Sequence, residues 1–304
     1  MPVTKEAQKM LGKRVPVLDK GFVGLIDVMG DDSSIVQAAR VSYGKGTKSV
    51  SIDRGLIRYL MKHRHTTPFE MVEMKFHVKL PIFVARQWIR HRTANVNEYS
   101  ARYSILEKEF YIPETDVMAE QSKSNKQGRE ETLPAKEAKK YQKKILDHSQ
   151  ESYDLYNYLL NEEDSEDFEP ERSNLARELS RMVIPTNIYT QWYWKIDLHN
   201  LLHFLGLRLD AHAQYEIRQY AQVMAEMVKA AVPLAWEAFE DYRLNSIYFS
   251  SKEKQVLLHF LKKAGVTDKE FEKACDEAGM KNKFERREFT EMFKRFMNGD
   301  KIPI

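Results

Sequence analysis

A strictly alternating segment, residues 72–80, constrains the fold of this chain more than any other feature of its sequence. It reads VEMKFHVKL, so apolar side chains occupy every second position and charged or imidazole side chains occupy the positions between them. A period of two predicts a half-buried antiparallel strand with one apolar face. Pro81 follows directly and suits the first position of a helix, which favours a strand that runs straight into a helix.

The next segment, residues 85–104, is rich in side chains that recognise ligands. It reads ARQWIRHRTANVNEYSARYS, and Arg86 and Arg90 lie one helical turn apart. A surface helix that only needs solubility would use Lys and Glu, whereas this one uses Arg, Gln, His, Asn and Ser beside a Trp. The planar donor fork of arginine fits phosphate oxygens and planar heterocycles. We interpret the segment as a ligand-binding surface, and a solvated basic face is the alternative.

The composition bounds the class of protein. The chain has 304 residues, of which 42% are hydrophobic and 31% are charged, so it can bury a core in one large domain or two smaller ones. The net charge of +3 is too small to argue for a nucleic-acid partner. No apolar run approaches the roughly 20 residues of a membrane helix, and the N-terminus lacks the apolar stretch of a signal peptide. We expect a cytoplasmic protein without membrane or nucleic-acid partners.

Periodicity along the rest of the chain predicts an α+β fold, with a mixed or antiparallel sheet and long helices. Residues 1–16 are interpreted as a loose arm, residues 121–134 as a mobile loop, and Asp197 and Asp210 as helix N-caps. From Ser250 onward three short helical segments are separated at Gly265 and Gly279. The predicted domains are an arm (1–16), a main domain (17–245) and a helical C-terminal extension (246–304). Predicted strands cover 22–28 and 187–196, and predicted helices cover 51–62, 136–160, 174–183, 198–209, 211–232 and 234–243.

The spacing of one motif resembles a known family. Arg90-His91-Arg92, then seven residues, then Ser100 is similar to the signature of the flavin-dependent thymidylate synthases. The resemblance extends from about Val17 to Phe239, and it includes residues 65–70, which resemble that family's His-x-Thr-Pro-Phe-Glu element. It implies that family's α+β fold, reductive methylation of dUMP to dTMP, and a homotetramer with shared active sites. It also implies FAD as cofactor, with NADPH and 5,10-methylenetetrahydrofolate as co-substrates.

The resemblance also implies residues that contact the flavin. His199 and His203 depart from the family pattern, because some members carry Asn or Arg there. A histidine pair four residues apart can bind zinc, but the glutamate of an H-E-x-x-H motif is absent and no cysteine is near, so we predict no metal. No Gly-x-Gly-x-x-Gly follows a strand, so a Rossmann site is unsupported. The implied cofactor-binding residues are Ser42, His65, Thr67, Arg90, His91, Arg92, Glu98, Asp197, His199, His203 and His212.

A second set of residues corresponds to the family's deoxyuridylate contacts. Arg208 matches the arginine that polarises the uracil ring, where a guanidinium stabilises an enolate-like form; a salt bridge to Asp210 is the alternative. Ser100 could attack ring carbon C6 if a base activates it, or it could position the substrate through its hydroxyl. Both remain candidate catalytic residues. The implied substrate-binding residues are Gln87, Arg90, Glu98, Tyr99, Ser100, Ala101, Arg102, Arg181 and Arg208.

The single cysteine, Cys275, excludes an intramolecular disulfide and bears on the chemistry. It lies in the charged segment EKACDEAG, which offers no His or Arg cluster to lower its pKa. Methylation of a pyrimidine by this chain would therefore proceed without a thiolate nucleophile. Two rival hypotheses remain: a nucleic-acid-binding protein that places residues 86–102 in a groove, and a family member that has lost its activity. Damage at Arg208 or at the Arg90–Arg92 triplet would mark the second, and both are intact.

Overall fold

The structure is a computed structural model that describes residues 4–41, 50–123, 126, 128–165 and 167–298. It divides into two compact units. Unit 1 comprises Met1–Thr47 and Thr66–Trp236, and unit 2 comprises Lys48–His65 and Glu237–Ile304. In the described part of the chain, no helix is both long and apolar enough to cross a bilayer.

Unit 1 is built on an antiparallel sheet of five strands. The alternating segment forms strand Glu73–Pro81, the third in the order of the sheet. It pairs with strand Tyr189–Asp197. The sheet order is β1-β2-β3-β7-β4, and β5 and β6 form a separate antiparallel hairpin. The predicted α+β class is confirmed. The strands are β1 Arg14–Val17, β2 Gly21–Met29, β3 Glu73–Pro81, β4 Asn95–Glu98, β5 Ala119–Gln121, β6 Arg129–Thr132 and β7 Tyr189–Asp197.

Three helices of unit 1, Ile82–Trp88, Leu198–Arg208 and Tyr215–Ala231, pack against this sheet. Met74, Phe76, Val78 and Leu80 of β3 are fully buried, as the alternation predicted. Pro81 is the last residue of β3 and also the N-cap of the next helix, so strand and helix are continuous. The helices are α1 Lys5–Met10, α2 Asp32–Val41, α4 Ile82–Trp88, α5 Ala135–Leu160, α6 Arg177–Ser180, α7 Leu198–Arg208 and α8 Tyr215–Ala231, with α9 Pro233–Phe239 at the boundary between the units.

Trp88, the last residue of α4, is the centre of the aromatic core. Its ring centroid lies 5.6 Å from that of Trp192, 5.3 Å from that of Trp194 and 4.8 Å from that of Phe204. Tyr220 of α8 packs against it at 5.9 Å. This cluster joins α4 to β7, α7 and α8, and it fixes the position of the helix that precedes the arginine-rich segment.

Four sequence-based expectations are wrong. The described part of the supposed loose arm contains α1, capped by the Thr4 hydroxyl, and most of β1, which pairs with β2. The expected mobile loop 121–134 contains the second strand of the β5–β6 hairpin. Asp210 does not cap a helix: its carboxylate accepts the backbone N–H of His212 at 2.7 Å, and α8 begins at Tyr215. The predicted helix 174–183 is only α6 and a 3₁₀ turn, Arg181–Val183.

Unit 2 consists of helices. Its helices include α3 Val50–Lys62, α10 Ser251–Ala264, α11 Asp268–Glu277 and α12 Lys283–Asn298. A π-helical turn, Glu240–Leu244, precedes α10, and side chains of α3 form ion pairs with α12. Capping boxes begin α10 and α11, because Ser250 and Thr267 each exchange hydrogen bonds with the residue three positions later. Gly265 and Gly279 have φ of 63° and 71°, which glycine adopts readily, and they separate the helices where the sequence predicted breaks.

Candidate active site

A first cavity of about 350 Å³ forms beside the segment that follows β4. Thr190 Oγ1 donates a hydrogen bond of 2.9 Å to Glu98 Oε1, and the Tyr99 N–H donates one of 2.8 Å to Gln191 O. These bonds attach the segment to β7 just past the paired residues of β4. Five residues of the predicted substrate set line this cavity: Glu98, Tyr99, Ser100, Ala101 and Arg181.

Ser100 lies in this first cavity without a base. Its Oγ accepts the backbone N–H of Arg102 at 3.3 Å, and no carboxylate or imidazole in the described part of the chain hydrogen-bonds to it. Arg102 is exposed and pairs with Glu178 at 3.3 Å. Arg181 is also exposed, and its Nε donates to the Glu178 carbonyl at 3.3 Å. The geometry favours a hydroxyl that positions an anionic ligand beside these two arginines over an activated nucleophile.

A second cavity of about 870 Å³ contains Arg208, at the end of α7, and Gln87, in α4. His212 and Arg218 also line it, and its remaining wall includes residues of the β5–β6 hairpin. The Gln87 side-chain oxygen is buried and has no hydrogen-bond partner among the described residues. A buried amide oxygen without a partner is costly, so this position favours a ligand that brings a donor.

Arg208 meets an imidazole and not a carboxylate. Its Nε donates a hydrogen bond of 3.1 Å to His91 Nε2. Burial, the Arg208 guanidinium and His203 lower the pKa of His91 to about 4, so the ring is neutral and can accept this bond. Burial also lowers the pKa of Arg208, which stays charged at neutral pH. Asp210 bonds to His212 at 2.9 Å, and no ion pair involving Arg208 forms within the described residues.

Of the other predicted flavin residues in unit 1, His203 lies near the His91–Arg208 contact. His203 is exposed, with its ring centroid 6.2 Å from that of His91, while His199 is half-buried. Asp197 caps α7 as predicted, because its carboxylate accepts the Asn200 N–H at 3.0 Å. Thr67 is exposed before the 3₁₀ turn Phe69–Met71. In the part of the chain that the structure describes, no three His, Cys, Asp or Glu side chains converge on one point.

The remaining predicted flavin residues lie at exposed positions of unit 1, in unit 2 or outside the described residues. Arg90 and Arg92 are exposed, and neither forms an ion pair with another described residue. Their guanidinium donors are therefore available to a ligand. His65 belongs to unit 2, where its ring stacks on that of Tyr59 with centroids 5.9 Å apart. Ser42 lies outside the described residues.

Sequence reasoning missed Arg129 and Arg218, which line the second cavity. Arg129 lies on β6, pairs with the buried Glu216 at 3.5 Å, and places its guanidinium 5.4 Å from the ring centroid of Tyr215. Residues 121–134 show no periodicity, so no signal marked Arg129. Arg218 lies in the segment after Arg208 that resembles the family, but no motif singles it out. Its Nη1 donates to the Ala211 carbonyl at 2.8 Å.

Comparison with known proteins decides the family. A family model described as thymidylate synthase complementing protein matches residues 24–234. A flavin-dependent thymidylate synthase of Ruegeria pomeroyi is 59% identical over 252 residues, which cover 83% of this chain and 81% of that protein. One of Rickettsia bellii is 54% identical over 267 residues, covering 87% and 91%. The chain belongs to the flavin-dependent thymidylate synthase family. The resemblance seen in the sequence is confirmed.

A solved structure supports the same assignment. The UMP/dUMP methylase PolB from Streptomyces cacaoi, bound with 5-Br UMP, superposes with a TM-score of 0.66 and 32% identity. The match covers 77% of this chain and all of that chain. The same methylase bound with 5-Br dUMP also gives 0.66, at 30% identity. The chain is therefore a methyltransferase enzyme of a flavin-dependent family.

The buried imidazole gives a prediction about pH. The folded protein keeps His91 neutral down to about pH 4, whereas the unfolded chain protonates it near pH 6.5. The unfolded state therefore binds more protons in this window, and stability is lost as the pH falls from 6.5 towards 4. We expect His91→Asn to reduce the difference between the melting temperatures at pH 7 and pH 5.

His148, exposed on α5, provides the control for this experiment. His148→Asn should keep the full drop in melting temperature on acidification. An equal drop for wild type and His91→Asn would contradict the assignment of a neutral His91 in the folded protein.

Proposed function

We propose that this enzyme methylates dUMP at ring carbon C5 to give dTMP, with carbon from 5,10-methylenetetrahydrofolate and reducing equivalents from NADPH through FAD. The observation that carries the proposal is the position of Arg208. Its charged guanidinium lines a cavity, bonds to a neutral imidazole, and is not neutralised by a carboxylate within the described residues. This arrangement supplies a positive charge that can bind a polar heterocycle.

Arg208 would activate the pyrimidine ring. His91 accepts the Nε–H, which leaves the Nη donors of the guanidinium free for a ligand. Donated to a uracil carbonyl, they stabilise the negative charge that builds up on oxygen as electron density shifts towards C5. The buried Gln87 oxygen in the same cavity can accept an N–H from a planar base. Both groups are oriented before the substrate arrives.

The residues present fit a flavin. An isoalloxazine ring offers carbonyl groups to arginine donors, and a pyrophosphate suits the exposed guanidinium groups of Arg90 and Arg92. When bound, the flavin supplies the hydride chemistry that no side chain of this protein can supply. His65, Thr67, Asp197, His199, His203 and His212 complete the proposed cofactor set, together with His91, Glu98 and Ser42.

The first cavity would bind the nucleotide through its phosphate. Arg102 and Arg181 provide donors beside Ser100, and arginine binds phosphate oxygens in a bidentate manner. Glu98, Tyr99 and Ala101 also line this cavity. We assign Ser100 to substrate positioning, which is supported by the lack of a base at its hydroxyl in the described structure.

We further propose a homotetramer whose copies share active sites. The predicted substrate residues of one chain line two cavities: Ser100 and Arg181 belong to the first, Gln87 and Arg208 to the second. A second copy that brings its own second cavity to the first would complete each site. A cytoplasmic location is part of the same proposal, and the free thiol of the buried Cys275 is compatible with it.

The visible spectrum of the protein reconstituted with FAD tests this function. NADPH added without oxygen should bleach the flavin, and dUMP together with methylenetetrahydrofolate should then restore the oxidised spectrum. Addition of either substrate by itself is the control and should leave the flavin reduced. Absence of flavin binding would overturn the proposal and favour the arginine-rich segment as a nucleic-acid surface.

A further inference from the structure

Side chains of the C-terminal helix α12 contact the second half of α3, the helix that precedes His65. The C-terminal helices lie beyond residues 24–234, which the family model matches. All the contacts described next lie within unit 2. The inference drawn from them rests on the proposed function, because it concerns the flavin residue His65.

Arg58 forms the first contact. Its Nε donates to Glu285 Oε1 at 2.6 Å and its Nη2 to Glu285 Oε2 at 3.0 Å, a bidentate pair with α12. The same guanidinium pairs with Asp241 and lies 3.5 Å from Glu237. Only 14% of the Arg58 side chain and 13% of the Glu285 side chain are exposed, so the pair with Glu285 is shielded from water. They attach the middle of α3 to the C-terminal helices.

Glu288, one turn further along α12, forms the second contact. It accepts hydrogen bonds from Lys62 Nζ at 2.6 Å and from His63 Nε2 at 3.3 Å. Lys62 is the last residue of α3, and Arg64 then adopts a φ of 58°. Glu288 therefore holds the chain at the point where it leaves the helix, two residues before His65.

An aromatic chain forms the third contact. The ring of Tyr59 lies 6.1 Å from Phe284 of α12 and 4.3 Å from His63, measured between centroids. The same ring stacks on His65 at 5.9 Å with an interplanar angle of 30°. The His65 N–H also donates to the Leu60 carbonyl at 2.9 Å. The Tyr59 ring therefore contacts both Phe284 and His65, and it links the packing of Phe284 to the His65 ring.

We propose that the C-terminal extension is a clamp on α3 that positions His65 for the flavin. Glu288 and Phe284 are its positioning residues: Glu288 fixes the backbone beside His65, and Phe284 supports the ring on which His65 stacks. A ring held in one orientation loses less conformational freedom when a cofactor binds, so the clamp strengthens flavin binding. The extension therefore acts on the cofactor site through α3 without itself contacting the flavin.

The full-length protein with Glu288→Gln tests the clamp. We expect its dissociation constant for FAD, measured by flavin fluorescence, to rise about fivefold. Glu291→Gln is the matched control, because Glu291 is exposed on the same helix and its ion pair among the described residues is with Arg287, at 4.0 Å. It should leave FAD affinity unchanged. Phe284→Leu provides a second variant through the aromatic contact, and circular dichroism verifies that each variant is folded.

The His65→Ala background distinguishes positioning from general stability. If Glu288 acts through His65, Glu288→Gln should cause no further loss of FAD affinity once His65 is absent. An additive loss of FAD affinity in that background would overturn the clamp. The clamp would also be overturned if Glu288→Gln and Phe284→Leu both kept wild-type FAD affinity while His65→Ala bound FAD weakly. Unchanged FAD affinity in His65→Ala would instead overturn the proposed flavin role of His65, and the clamp with it.

Discussion

Arg208→Lys should lower kcat for dTMP formation by about 100-fold or more, the loss typical of removing one donor that stabilises developing charge. A lysine ammonium cannot donate to His91 and at the same time present a planar pair of donors to a uracil carbonyl. The positive charge would remain, but its geometry would be lost. Steady-state release of dTMP at saturating substrate measures the effect, and flavin absorbance verifies that the cofactor is bound.

Comparison of kcat with the KM for dUMP shows whether Arg208 stabilises the transition state or only the bound substrate. A fall in kcat with little change in the KM for dUMP means that Arg208 contacts the substrate more strongly in the transition state. Arg295→Lys makes the same exchange at an exposed position of α12 and should keep wild-type turnover. A kcat within threefold of wild type for Arg208→Lys would remove Arg208 from the mechanism.

Trp88→Ala should destabilise the protein by about 3–5 kcal/mol, the range for deleting a large aromatic side chain from a core. Trp88 is fully buried and packs against Trp192, Trp194, Phe204 and Tyr220. These rings belong to three other elements of unit 1, so surrounding side chains cannot easily collapse into the space. Urea unfolding with linear extrapolation gives the free energy of unfolding.

Ile89→Ala provides the control for the core substitution. Ile89 is the next residue, its side chain is 42% exposed, and its loss should change stability by no more than about 0.5 kcal/mol. A loss below about 1 kcal/mol for Trp88→Ala would mean that the ring cluster does not support the core.

The sequence predicted the sheet well where one face is buried. In β3 the burial of each side chain follows the alternation of apolar and polar residues, because a strand with one buried face must place apolar groups at every second position. The break glycines of unit 2 were also readable, since a positive φ favours glycine. These features depend on local chemistry that the sequence contains directly.

Elements without a buried face were not predictable in this way. All four side chains of β6 are exposed, so the β5–β6 hairpin has no apolar alternation to reveal it. Asp210 carries a good capping side chain, but its carboxylate is used by the His212 N–H, and the helix starts later. The start of α8 therefore differs from the prediction because the Asp210 carboxylate bonds to His212 and not to the first turn of a helix.

The family motif identified candidate site residues, but it did not predict which of them line the same cavity. Ser100 and Arg208 line different cavities, and the His91–Arg208 bond joins residues that are 117 positions apart. Only the packing of α7 against the end of α4 brings that pair together, and no local pattern encodes it. The neutral state of His91 follows from this packing as well.

The position of β7 in the sheet has a consequence for the order of events during translation. β7 pairs with β3 on one side and β4 on the other, yet the ribosome makes it more than one hundred residues after β3. At roughly 5–20 residues per second, β3 and its apolar face must wait for several seconds before the central partner emerges. During that interval Trp88 of α4 lacks its ring partners on β7, Trp192 and Trp194. A nascent chain of this protein is therefore most exposed to chaperones and to aggregation between the completion of α4 and the completion of β7.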